Sequence, residues 1–114
     1  MSRSDWALFV ADIQQACDKI SGYVSGLSFE EFQADSRTVD AVVRNLEIIG
    51  EAARAIPVEM KQDRPAIDWS ALNGLRNRIV HEYFGLSLPI IWAIVLHDPP
   101  VLDVQLREWI KEHQ

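Results

Sequence analysis

Apolar residues recur at three- and four-residue steps along nearly the whole of this 114-residue chain, and that period constrains the fold more than any other feature. Trp6, Phe9, Ile13, Ala16, Cys17, Ile20 and Val24 form one stripe, and Val39, Val42, Val43, Leu46, Ile49, Ala53 and Ile56 form a second. No segment alternates with period two over the length of a strand, and no Asn-Gly or Asp-Gly hairpin signal occurs. The expected architecture is all-α: an antiparallel bundle of four to five main helices in a single domain spanning residues 1–114.

Capping chemistry sets the expected boundaries. Gly26 closes the first helix, and Ser28-Phe-Glu-Glu31 reads as a capping box opening a short helix to about Gln33. Asp35 or Ser36 caps a long helix that runs to Ile56, where Pro57 stops it or starts a short turn. Met60-Lys-Gln-Asp-Arg-Pro65 is polar and proline-bounded and reads as a connector. Asp68 caps a helix from Trp69 to Phe84, ended by Gly85 in the left-handed region. Ser87 caps the next, from Leu88 and Pro89. His97-Asp-Pro-Pro100 is expected to interrupt that helix, with Asp98 capping a last one that carries Leu102, Leu106, Trp109 and Ile110.

Composition narrows the function. Seventeen acidic residues against eleven Lys and Arg leave a net charge of -6, which opposes broad attraction to duplex DNA or anionic lipid. The longest apolar run, near Pro89 to Leu96, falls far short of the ~20 residues a membrane span needs. With no secretion signal after Met1 and a single cysteine, the chain reads as cytoplasmic. Cys17 lies on the apolar stripe and reads as a packing residue. His97-Asp98 and His113 could suggest a metal, but Asp98 is expected to act as a cap and His113 to lie in a frayed tail, and His81-Glu82 lacks the second histidine of a zinc helix. No metal or cofactor is expected.

The segment Leu75 to Phe84 carries the chemistry. At about 100° per residue, Leu72, Leu75, Ile79 and Tyr83 share a core-facing stripe, and Asn73, Gly74, Asn77 and His81 share a second, polar face nearly free of charge. Arg76 lies on the border, about 140° from His81, so one helix aims the two poorly at a small target. Two copies meeting across a two-fold axis would interleave them in one cleft. Cleaving RNA without a metal needs a base for the 2′-hydroxyl proton, an acid for the departing 5′-oxygen and positive charge on the phosphorane. Histidine fills either proton role, and arginine grips phosphate as a fork. Asn77 would orient the imidazole or donate to phosphate. Arg76 also reads as an ion-pair partner of Glu51, which would fix the direction of its guanidinium. Arg78 beside Glu82 reads as a surface ion pair.

The stretch Arg76-Asn-Arg-Ile-Val-His81-Glu-Tyr83 resembles the Arg-x4-His-x-Tyr motif of HepT-like proteins, a branch of the HEPN superfamily. The likeness extends to Asn45-Leu-Glu-Ile-Ile-Gly-Glu51-Ala-Ala-Arg54, Ile67-Asp-Trp69 and Phe84-Gly85, and covers about Ser28 to Ile110. It implies a helical bundle that dimerises into a ribonuclease cleft, with Arg76 and His81 as the active-site pair. It further implies a toxin held by a minimal nucleotidyltransferase antitoxin that transfers AMP to the motif tyrosine, here Tyr83. Tyr83 falls about 20° from Arg76 on the wheel, so an added phosphodiester would neutralise Arg76 and fill the substrate's phosphate position. The competing reading is a noncatalytic helical dimer that binds a protein or senses a nucleotide.

Overall fold

Six helices follow one another in the computed structural model, which describes residues 5–82 and 88–113, and the side chains of all of these except 76 and 80–82. They are α1 (Asp5–Val24), α2 (Phe29–Ala34), α3 (Ser36–Ala55), α4 (Val58–Lys61), α5 (Trp69–Glu82) and α6 (Leu88–Glu112). The described residues contain no strand.

The caps form as their chemistry dictates. Gly26 takes a φ of 77°, the left-handed region that glycine enters without a Cβ penalty. Ser28 and Glu31 close a capping box: the Glu31 amide donates to Ser28 Oγ at 3.1 Å, and the Ser28 amide donates to Glu31 Oε1 at 3.0 Å. Asp35 caps α3 by accepting from the Thr38 amide and hydroxyl, at 3.2 and 2.7 Å. The hydrogen bonds hold the Glu31 and Asp35 carboxyls below their ordinary range.

Both apolar stripes are buried where they were expected. Trp6, Ile13, Ala16, Cys17 and Ile20 of α1 meet the whole apolar set of α3, and Phe9 and Val24 flank them half-buried. The α1 helix packs on α3 and α6, and α3 also packs on α5. Phe32 of α2 ties in α6 through the ring of Trp92, 4.9 Å away. Cys17 is a packing residue: burial, with Asp103 and Asp18 nearby, pushes its thiol up to about 12. Asn45 is buried among these apolar residues and donates from Nδ2 to the Ala41 carbonyl at 2.9 Å.

Three expectations need correction. The α6 helix is continuous from Leu88 to Glu112, with Pro99 and Pro100 inside it, so the interruption is absent and Asp98 is not a cap. Two internal prolines cost about 3 kcal/mol each through missing donors and ring clashes. Burying Leu102, Leu106 and Trp109 in phase with Ile91, Ile94 and Val95 returns about 1.5–3 kcal/mol for each large side chain. Continuity therefore wins. The connector begins later than expected: α4 runs to Lys61 and turns Met60 into the core. His113 is tied down, since its Nε2 lies 3.0 Å from Asp63 Oδ2 and its ring meets Trp6 edge-on at 5.2 Å. Gly85 and Ser87 lie outside the described residues.

Candidate functional site

The motif helix α5 starts from a firmly held end. Asp68 caps it, accepting from the Ala71 amide at 3.0 Å, while the Leu72 amide donates to the Asp68 carbonyl at 3.1 Å. Ile67 is buried just ahead of the cap, and Trp69 Nε1 donates to the Arg64 carbonyl at 3.0 Å. The Lys61 ammonium stands 5.7 Å from the centre of the Trp69 ring.

From there α5 lays Leu75 and Ile79 against α3 as buried residues, with Leu72 half-buried between them and the surface. Gly74, Asn77 and Arg78 are exposed. A Cβ placed on Gly74 would meet nothing within 4 Å. No packing among the described residues therefore calls for glycine at this position. The Asn73 side-chain oxygen Oδ1 is buried and meets no donor among the described residues.

Arg76 and His81 both lie on this one unbroken helix, separated by about 7.5 Å of axial rise. Position 81 stands one turn beyond Asn77 on the same helix. The side chains of Arg76, His81 and Glu82 lie outside the described residues, as does Tyr83 entirely, and with them the Arg78–Glu82 pair. Glu51 is exposed on α3, the helix on which α5 packs, and takes part in an interaction there.

The seam between α5 and α6 was not foreseen. These helices do not pack broadly on each other among the described residues, and a cavity of about 220 Å³ lies between them. Asp68 and Asp98 stand at it, and His97 Nδ1 lies 2.8 Å from Asp98 Oδ1. Sequence reading assigned both aspartates to capping, and only the Asp68 cap exists. Among the described residues no cluster of three or more His, Cys, Asp or Glu side chains is placed to hold a metal, and no helix is long and apolar enough to cross a membrane.

Comparison with known proteins gives first a class. The chain is 36% identical, over 93% of its length and 95% of the relative's, to a protein of Caldanaerobacter subterraneus subsp. tengcongensis whose name makes it a candidate RNase. It is 34% identical to another candidate RNase, from Methanocaldococcus jannaschii, over 98% of this chain and 93% of that one. A Thermococcus cleftensis protein named a probable ribonuclease HepT is 37% identical over 82% of this chain and 86% of its own. No solved structure matches the chain. Residues 13–109 match the family described as ribonuclease HepT-like. The chain belongs to that family, the HepT-like HEPN ribonucleases.

Proposed function

We propose that this chain is the toxin of a toxin–antitoxin pair: a homodimeric, metal-independent endoribonuclease acting in the cytoplasm, with its cleft built from Arg76 and His81 of two copies. The observation that carries this reading is the placing of Arg76 and His81 on one continuous helix in a chain of the HepT-like ribonuclease family. The outward side of that helix, at Gly74 and Asn77, is open.

In this reading one His81 imidazole takes the 2′-hydroxyl proton, and the freed oxygen attacks the adjacent phosphorus. The bond from phosphorus to the 5′-oxygen breaks, an imidazolium protonates that oxygen, and a 2′,3′-cyclic phosphate is left. Arg76 holds the phosphorane oxygens as charge builds on them. Asn77 orients the imidazole or donates to phosphate, and Glu51 on the neighbouring helix steadies the guanidinium. DNA lacks the attacking hydroxyl and is spared. A cognate nucleotidyltransferase restrains the enzyme by transferring AMP to Tyr83, whose added phosphate occupies the place of the substrate's.

The test is cleavage of single-stranded RNA by the purified protein in EDTA. Arg76→Ala and His81→Ala variants that keep the wild-type oligomeric state should lose about 10²-fold or more in rate. Incubation with ATP, Mg²⁺ and the cognate transferase should add AMP mass at Tyr83. Undiminished cleavage by both variants, or cleavage abolished by EDTA, would overturn the nuclease mechanism. Modification at another residue would overturn the account of its restraint.

A further inference from the structure

Among the described residues the four long helices pack broadly in three pairs, and α5 and α6 are the neighbouring pair that does not. The α1 helix seals against α3 and α6, and α3 against α5, but the flank between α5 and α6 is a groove. Ala71 and Leu72 of α5 form one wall, and Val101 and Leu102 of α6 form the other. Below it a gap of about 30 Å³ runs inward to Leu46 and Ile49 of α3. The apolar wall continues onto the surface of α6, where Val101 is 46% and Val104 56% exposed.

Charge indicates what covers it. Asp68, which caps α5, and Asp98 of α6 both line the groove. Asp68 is engaged by the Ala71 amide and Asp98 by His97, and the ion pairs found among the described residues link neither to a Lys or Arg. An RNA strand would bring phosphates against these carboxylates. A second copy docked on the same groove across a two-fold axis would bring two more. A cationic side chain is the complement that remains. The volume, about 220 Å³, is below the roughly 300 Å³ at which small-molecule sites begin, so the groove suits one long side chain. An arginine suits both: its aliphatic stem would lie on Leu72 and Val101, and its planar fork would pair with the carboxylates.

We propose that the α5–α6 groove docks a partner protein through an arginine flanked by apolar residues, seated between Asp68 and Asp98. The proposal rests on Asp68, Asp98 and the residues around them, and uses neither Arg76 nor His81. It places a protein contact on the flank of the helix that carries the family motif.

The probe is a blocked Leu-Arg-Leu peptide titrated into the full-length protein, with Leu-Glu-Leu as its control, followed by backbone amide NMR. Leu-Arg-Leu should shift the signals of Ala71, Leu72 and Val101, whereas Leu-Glu-Leu should leave them in place. Asp98→Asn should weaken binding about twofold to fivefold, and added salt should weaken it further. Asp68→Asn should act alike while still capping α5, because asparagine caps as well as aspartate. No shift with Leu-Arg-Leu up to its solubility, or equal response to both peptides, would overturn the proposal. So would the same signals moving with a single-stranded RNA or with rising protein concentration alone.

Discussion

The two sides of α5 are built on opposite principles. Ahead of its first turn, rings and hydrogen bonds close the bundle: Trp6 lies 4.5 Å from Trp109, and Trp69 meets Trp109 edge-on at 5.8 Å. Asp63 accepts from Trp109 Nε1 at 2.9 Å and meets His113 at 3.0 Å, and Arg64 pairs with Glu112. These contacts clasp the end of α6 to the turns that launch the motif helix. Along the α5–α6 seam, by contrast, valines face outward and two aspartates stand without Lys or Arg partners among the described residues. Stability is concentrated where the start of α5 must be fixed, and the flank and outward face of the same helix are left accessible.

That contrast can be broken most forcefully at Trp109, which is fully buried. Trp109→Ala should destabilise the protein by about 3–5 kcal/mol in denaturant unfolding. A loss under about 1 kcal/mol would mean the clasp does not hold the bundle.

A smaller effect of opposite sign sharpens the other side. Gly74→Ala fills open space on a helix and should raise stability by about 0.5–1 kcal/mol. If RNA or a second copy approaches that face closely, the same variant should cleave RNA more slowly. Unchanged cleavage would show that nothing comes near Gly74.

The smallest effect is gated by pH. Hydrogen bonds from His113 and then Trp109 hold the Asp63 carboxyl below its ordinary value of 3.8. The stabilisation from this group is therefore present in full above that value and is lost as pH falls through the lowered folded value. Asp63→Asn, which accepts a hydrogen bond but does not titrate, should flatten the acid limb of the stability–pH curve below about pH 4. An acid limb identical to wild type would remove Asp63 from the clasp's energetics.

Most of the fold was legible because its signals are local. Ser28 with Glu31, Asp35, Asp68 and Gly26 each act within four residues, and each sits where capping chemistry puts it. The break at Pro99 was misread because the proline rule is local as well, whereas continuity is decided over the whole helix. The contrary signal was present: Val95, Pro99, Leu102, Leu106 and Trp109 keep one helical phase across the prolines, and all five are buried. His113 was misread as a frayed tail because its partner Asp63 lies 50 residues away, in a turn with no periodicity to announce it. The α5–α6 groove was invisible for a related reason. Which helix pair a bundle leaves open depends on how all the helices pack, and Asp68 and Asp98 each looked like a cap when read alone. On α5, the cap at Asp68 and the buried stripe of Leu75 and Ile79 were readable from spacing, as was the exposure of Asn77.

Subunit mixing tests the proposed catalytic arrangement most directly. Arg76→Ala and His81→Ala chains, each inactive alone, are unfolded together, refolded and assayed on single-stranded RNA in EDTA. A cleft shared between chains pairs the intact Arg76 of one subunit with the intact His81 of the other, so the mixture should cleave faster than either variant alone, though more slowly than wild type because only one of the two imidazoles remains. Mixed dimers that form and still leave the RNA intact would contradict it.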